Sequence, residues 1–187
     1  LQEETPLAAA ASSSANPTRL QALAPAAPAQ PITAIDPAQT AAVPSGIGEL
    51  DRVLGSGVIP GSVVLMAGEP GVGKSTLLLE VASRWAALGE RKALYVTAEE
   101  SAGQVRSRAE RTAALQPSLF VAAESNLDVV FGHVEQIKPS LLIVDSVQTM
   151  HAPGVEGVAG GIAQSRAVTA ALTTLAKTTN VPILLVG

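Results

Sequence analysis

The 187-residue sequence contains no cysteine, and aromatic residues make up only 2% of it. Without cysteine, this chain can have neither a disulfide framework nor a thiol nucleophile nor a cysteine-ligated zinc. Twelve Lys and Arg against sixteen Asp and Glu give a net charge of −4, so the chain lacks the basic excess typical of many nucleic-acid-binding proteins. No run of about 18 apolar residues is present, which argues against a membrane span.

The start of the chain has neither the basic residues nor the apolar centre of a signal peptide. We therefore expect a cytoplasmic protein that has no membrane partner. The first residue is Leu1 rather than methionine, which suggests that the chain begins inside a longer protein.

The composition changes near residue 45. Residues 1–44 contain fourteen Ala and seven Pro but only four charged residues. Each proline lacks an amide donor and restrains the residue before it, so a long helix is excluded. Large apolar side chains are too few to offset the entropy of ordering. We therefore predict a flexible, disordered Ala/Pro-rich linker over residues 1–44, with an edge strand at residues 32–35, and a folded domain over residues 45–187.

Short apolar runs alternate with helical patterns from residue 45 onward. The predicted strands cover residues 63–67, 93–97, 119–121, 141–144 and 183–186. The predicted helices cover residues 74–88, 101–115, 127–137 and 162–179. This alternation indicates an α/β fold with a mainly parallel sheet covered by helices on both faces. Ligands of such sheets bind at the carboxyl ends of the strands.

The first predicted strand leads into a glycine-rich loop that matches G-x-x-x-x-G-K-[ST]. The loop and the residue after it are Gly68, Glu69, Pro70, Gly71, Val72, Gly73, Lys74, Ser75 and Thr76. Glycines allow successive amide groups to point at phosphate oxygens, and the following helix adds its positive end. Lys74 is placed to reach the β- and γ-phosphates, and the Ser75 hydroxyl to bind Mg²⁺. These residues predict a site for ATP and Mg²⁺; an ordinary glycine-rich turn is the alternative.

Acidic residues follow two of the predicted strands. Asp145 ends the fourth strand, where a carboxylate suits Mg²⁺, although an Asp there can also simply cap a turn. Ser146 follows Asp145, so no acid directly after it can activate water. We therefore predict that Glu99, just past the second strand, is the catalytic base. Glu100 is the supporting or alternative carboxylate, and both glutamates could instead merely begin a helix.

Two further sets of side chains have open interpretations. Arg106, Arg108 and Arg111 form either a solvated face or a contact to phosphate or another subunit. His133 and His151 have no partner at metal-ligand spacing, so no zinc site is predicted. The loop from Pro153 to Gly161 is rich in glycine and lies where functional loops concentrate, but it has no Lys or Arg to hold a phosphate backbone.

Several segments resemble the bacterial RadA (Sms) family of the RecA superfamily. They are GEPGVGKSTLLLE (68–80), LYVTAEES (94–101), RSRAERT (106–112), AAESNLD (122–128) and KPSLLIVDSVQTM (138–150). The resemblance runs almost without interruption from about residue 46 to the end of the chain. It implies a RecA-like P-loop NTPase core, of which residues 45–187 are the N-terminal part.

The resemblance also implies a function: a DNA-dependent ATPase of recombinational DNA repair that drives branch migration as a ring helicase. Its implied partners are single-stranded or branched DNA, a recombinase and further copies in a homo-oligomeric ring, expected to be a hexamer. Residues 152–161 would face the central channel. Lys74 and Glu99 would keep catalytic roles, and Ser75 and Asp145 would bind Mg²⁺.

The family's four-cysteine zinc module and its C-terminal half have no counterpart in this sequence. We therefore expect no zinc in this chain, weak nucleotide binding by the isolated chain, and little unwinding. Two alternatives remain: an ATP-driven protein-interaction switch of the circadian-clock type, without DNA, and a non-enzymatic assembly module. A small-molecule kinase fits less well, because no lid with an arginine cluster follows the phosphate loop.

Overall fold

The computed structural model describes residues 29–37 and 41–187. The chain divides into two units between Asp36 and Pro37. In the first unit, Ile32–Ala34 form a 3₁₀ helix, so the predicted edge strand at residues 32–35 is wrong. Pro31 precedes this turn and its carbonyl accepts the amide of Ala34 at 2.9 Å, a local bond that replaces strand pairing. Most of the predicted linker, residues 1–28 and 38–40, lies outside the described residues.

The second unit alternates strands and helices. Its helices are α1 (Gly48–Val53), α2 (Lys74–Ala86), α3 (Ala102–Arg111), α4 (Leu127–Ile137) and α5 (Ile162–Thr179). Its strands are β1 (Val63–Met66), β2 (Ala93–Thr97), β3 (Leu119–Ala123), β4 (Leu141–Asp145) and β5 (Ile183–Val186). Ahead of α1, Val43 exchanges backbone hydrogen bonds with Val58, both of 2.8 Å. None of the described helices is long and apolar enough to cross a membrane.

The strands form one parallel sheet in the order β1-β5-β4-β2-β3, which confirms the predicted fold class. The register places Thr97 beside both Asp145 and Ala123, and Met66 beside Val186, so all five strands end together at one edge. The loops that follow β1, β2 and β4 all begin at this edge. Residues far apart in the sequence are thereby brought to one place.

The inner strands β2, β4 and β5 are buried on both faces, and their alternate residues belong to different cores. Tyr95 and Ile143 pack in the core that contains α2 and α3. Leu94 and Val144 pack in the core that contains α4 and α5. Burying continuous apolar strands on both faces is what requires helices above and below a parallel sheet.

The helix boundaries differ from prediction where backbone geometry intervenes. Helix α3 begins with a capping box between Ser101 and Gln104 and ends at Arg111 instead of residue 115. It stops there because Ala113 has a positive φ of 53°, which a right-handed helix cannot accommodate. Helix α1 was not predicted, because it is short and has no buried residue to give it a hydrophobic face.

Candidate nucleotide site

The loop between β1 and α2 has the backbone geometry that its glycines allow. Gly71 and Gly73 have positive φ values of 82° and 95°, a region that residues with a Cβ atom rarely adopt. A Cβ added at either position would meet no atom within 4 Å, so the requirement for glycine is conformational rather than steric. Gly73 is also the residue that precedes α2, and Lys74 is the first residue of that helix. The loop therefore opens directly onto the positive end of α2.

The side chain of Lys74 curls back over this loop. Its ammonium nitrogen donates hydrogen bonds to the carbonyl oxygens of Gly68 at 2.7 Å and Glu69 at 2.9 Å. Lys74 thus holds the loop closed on itself and places a positive charge at the border of the adjoining cleft.

The cleft has a volume of about 670 Å³, which is within the range of small-ligand sites. The residues that line it are Gly68, Pro70, Gly71, Gly73, Lys74, Ser75, Thr76, Glu99, Asp145, Gln148, Val186 and Gly187. Most of the predicted loop residues therefore share one cavity with both predicted carboxylates. Glu69 contributes its carbonyl to Lys74, and Val72 is exposed; neither lines the cleft.

Asp145 is buried at the end of β4, and its carboxylate is held by a phenol. The Tyr95 hydroxyl donates to Asp145 Oδ2 at 2.5 Å and lies 3.4 Å from the carbonyl oxygen of Ser75. Burial raises the pKa of the Tyr95 phenol strongly, and the hydrogen bond to Asp145 and its charge raise it further. Tyr95 is therefore a neutral donor at physiological pH.

The donor set at this edge fits Mg²⁺. The described residues contain no group of three or more His, Cys, Asp or Glu side chains that could form a complete metal cage. Mg²⁺ needs none, because it is usually bound by one or two protein oxygens together with substrate phosphates and water. The Ser75 hydroxyl and the Asp145 carboxylate are such hard oxygen donors, and one phenol contacts both residues.

Glu99 faces the cleft and Glu100 does not. Glu99 Oε1 accepts a hydrogen bond from Ser146 Oγ at 2.9 Å, and Ser146 is buried. Glu100 instead forms an ion pair with Arg108, at 2.8 Å between Oε1 and Nη1. Of the two glutamates, Glu99 is the one positioned beside the phosphate loop.

One known protein family matches most of this chain. The family described as "AAA domain" matches residues 29–187. The chain belongs to the AAA domain family.

This member of the AAA domain family is also similar to curated bacterial proteins. It is 58% identical over 157 residues to the DNA repair protein RadA of Mycolicibacterium smegmatis, covering 84% of this chain and 34% of that protein. It is 55% identical over 172 residues to RadA of Mycobacterium tuberculosis, covering 91% and 36%. It is 49% identical over 139 residues to RadA of Streptococcus pneumoniae, covering 74% and 33%. The chain thus spans about a third of the length of these relatives, and the resemblance to RadA is confirmed.

The arginines of α3 divide between two environments. Arg106 pairs with Glu110 at 3.1 Å on the exposed face, as the solvated interpretation predicts. Arg108 turns inward, with 13% of its side chain exposed, and its guanidinium lies 5.9 Å from the centre of the Tyr95 ring. Arg108 therefore contacts Glu100 and Tyr95 beside the site and does not belong to a solvated face.

Two residues of the site, Tyr95 and Gln148, were missed in the sequence, and two more, Arg108 and Ser146, were named without the contacts that the structure gives them. Tyr95 carried the clearest signal, because it is the only tyrosine in the chain and its polar group lies between the apolar residues Leu94 and Val96. A buried phenol needs a partner, and only the register of β2 against β4 shows that the partner is Asp145. In the sequence, Ser146 indicated only that no acidic residue directly follows Asp145, and its hydrogen bond to Glu99 was not predicted.

Proposed function

We propose that this chain is the nucleotide-binding part of a DNA-dependent ATPase of recombinational DNA repair. The observation that carries the proposal is one cleft bordered by the phosphate loop, Lys74, Ser75, Glu99 and Asp145. The assignment to DNA repair is supported by the relatives, whose names describe DNA repair proteins.

In the proposed reaction, the loop amides and Lys74 bind the triphosphate. Ser75 and Asp145 would hold Mg²⁺, which when bound neutralises charge on the phosphate oxygens. A water oxygen attacks the γ-phosphorus while Glu99 accepts a proton from that water. The bond between the γ-phosphorus and the bridging oxygen breaks, and its electron pair leaves with ADP. Ser146 orients Glu99 through the hydrogen bond described above.

The coupling to DNA is proposed at the level of the whole protein. We propose a cytoplasmic homo-oligomeric ring, a hexamer, that works with a recombinase on single-stranded or branched DNA and drives branch migration. Residues 152–161 would line the channel of that ring. These residues follow the strand that carries Asp145, so a displacement of the loop can reach the nucleotide site through β4.

The proposal is tested by ATP turnover of the full-length protein, measured with and without single-stranded DNA. We expect DNA to stimulate turnover and Lys74→Ala to abolish it. Lys138→Ala is a matched control, because Lys138 is exposed just before β4, at the opposite edge of the sheet from the cleft. Wild-type turnover by Lys74→Ala would contradict the site.

Other outcomes of the same experiment support other functions. Hydrolysis that DNA does not stimulate would favour the ATP-driven protein-interaction switch. A ring that assembles with nucleotide but shows no turnover would favour an assembly module. We expect the isolated chain to bind nucleotide weakly and to unwind little.

A further inference from the structure

Tyr95 connects the residues that would hold the metal. Its side chain is fully buried in β2, and its hydroxyl contacts Asp145 Oδ2 at 2.5 Å, the Ser75 carbonyl oxygen at 3.4 Å and Arg108 Nη2 at 3.2 Å. A phenol has one proton to donate and accepts through its oxygen. Because guanidinium groups only donate, Arg108 must donate to the phenol oxygen, and the phenol proton is free to go to Asp145.

We propose that Tyr95 is a positioning residue that fixes the Asp145 carboxylate relative to Ser75 for a nucleotide-bound divalent metal, and that the Arg108–Glu100 pair holds its hydroxyl in place. This inference rests on the proposed function, since it needs a metal–nucleotide complex in the cleft. It assigns Tyr95 no contact with nucleotide or with the reacting atoms.

The Tyr95 hydroxyl is placed to orient the Asp145 carboxylate. The phenol binds one carboxylate oxygen of Asp145, which restrains the rotation of the carboxylate and leaves the other oxygen as the candidate metal donor. The same hydroxyl oxygen lies 3.4 Å from the Ser75 carbonyl oxygen. Because the single phenol proton goes to Asp145, this is a packing contact that sets the spacing between the strand residue and the loop residue. Hydrogen bonds of this kind to ligating groups typically change metal affinity by about 10- to 100-fold when they are removed.

The Arg108–Glu100 pair supports the phenol from the side of α3. Arg108 joins Glu100 at 2.8 Å and the Tyr95 oxygen at 3.2 Å, and 31% of the Glu100 side chain is exposed. A cation bound to the phenol oxygen favours the orientation in which the phenol proton points at Asp145. Glu100 also directly follows Glu99, so the pair links the metal side of the cleft to the segment that carries the proposed base.

The test measures binding of the ATP analogue AMPPNP to the full-length protein by calorimetry, once in Mg²⁺ and once in EDTA. Tyr95→Phe keeps the buried ring and removes only the hydroxyl. We expect it to weaken binding in Mg²⁺ by about tenfold or more, because metal coordination is lost, and to change binding in EDTA by less than about twofold.

The matched control is Ser140→Ala. Ser140 accepts a hydrogen bond from the Trp85 indole at 2.9 Å and lies just before β4, at the far end of the sheet. This variant also loses a side-chain hydrogen bond within the fold, but we expect its binding in Mg²⁺ to match the wild type. A general loss of stability would affect both variants, whereas loss of positioning affects only Tyr95→Phe.

Failure of this inference is distinguishable from failure of the proposed function. Wild-type protein that binds AMPPNP in neither solution would refute the nucleotide site, and the inference with it. Wild-type protein that binds more tightly in Mg²⁺, together with an equal gain from Mg²⁺ in Tyr95→Phe, would overturn the inference alone.

Arg108→Met supplies the second variant. We expect a smaller loss of binding in Mg²⁺ than in Tyr95→Phe, and no additional loss when the two substitutions are combined, because Arg108 acts through the phenol. Additive losses would refute the role of the pair. If Tyr95→Phe does not fold, Arg108→Met decides the matter, and unchanged binding in Mg²⁺ overturns the inference.

Discussion

The anchoring of the loop after β4 by Gln164 leads to a quantitative prediction. Gln164 is fully buried in α5; its Oε1 accepts the amide of Ala152 at 2.8 Å, and its Nε2 donates to the carbonyls of Ala152 at 3.4 Å and Val155 at 2.6 Å. A leucine side chain is similar in volume to glutamine, so Gln164→Leu creates little cavity. The backbone groups of Ala152 and Val155, however, lose their hydrogen-bond partners. Each net hydrogen bond contributes about 1 kcal/mol, and a buried donor left unpaired costs about 1–3 kcal/mol.

We therefore expect Gln164→Leu to lower the free energy of unfolding by about 2–4 kcal/mol. Urea unfolding measures this through the fluorescence of Trp85, the only tryptophan, which is buried in the core. The control is Gln136→Leu, an exposed position on α4 that we expect to change the free energy of unfolding by less than about 0.5 kcal/mol. A loss below about 1 kcal/mol for Gln164→Leu would refute the reasoning, because it would mean that the loop finds other partners at little cost.

Three further predictions concern the carboxylates and are measured on the full-length protein. Glu99→Gln should bind ATP in calorimetry but release no phosphate; loss of binding would indicate a structural role instead. Ser146→Ala removes the hydroxyl that orients Glu99 and should lower kcat by about 5- to 10-fold, equivalent to about 1–1.4 kcal/mol, with KM for ATP unchanged; a KM effect alone would contradict the orienting role. Glu100→Gln weakens the pair with Arg108 but leaves Glu99 in the cleft, so a phosphate-release assay should show a partial loss of turnover, much smaller than that of Glu99→Gln; a loss as complete as that of Glu99→Gln would make Glu100 the base.

The phosphate loop could be predicted from the sequence because its chemistry is local. The backbone conformations that Gly71 and Gly73 adopt are properties of those residues themselves, and Lys74 begins the next helix by direct continuity of the chain. The same holds for the strands, whose apolar runs are continuous because both faces of a parallel sheet are buried. The 3₁₀ helix at Ile32–Ala34 shows the limit: a strand needs a partner, and apolar residues between prolines do not supply one.

The hydrogen bonds that hold the carboxylates of the site could not be predicted, because they depend on the register between β2 and β4. Thr97 lies opposite Asp145, and this pairing fixes where Tyr95 and Glu99 fall relative to the end of β4. A shift of one residue would exchange the two faces of β2 and move the Tyr95 hydroxyl to the opposite core. No pattern within β2 or α3 states which carboxylate the phenol meets, or that Arg108 turns inward while Arg106 remains exposed.

The sequence by itself determined the parallel α/β fold, the phosphate loop and the acids at the strand ends, since each follows from hydrophobic period or from the conformational range of residues that are neighbours in the chain. Only the tertiary structure decided which glutamate faces the cleft, and that a buried phenol, an inward arginine and a serine hold the carboxylates. Those pairings join positions about 50 residues apart, such as Tyr95 with Asp145 and Glu99 with Ser146, through strand register and helix packing.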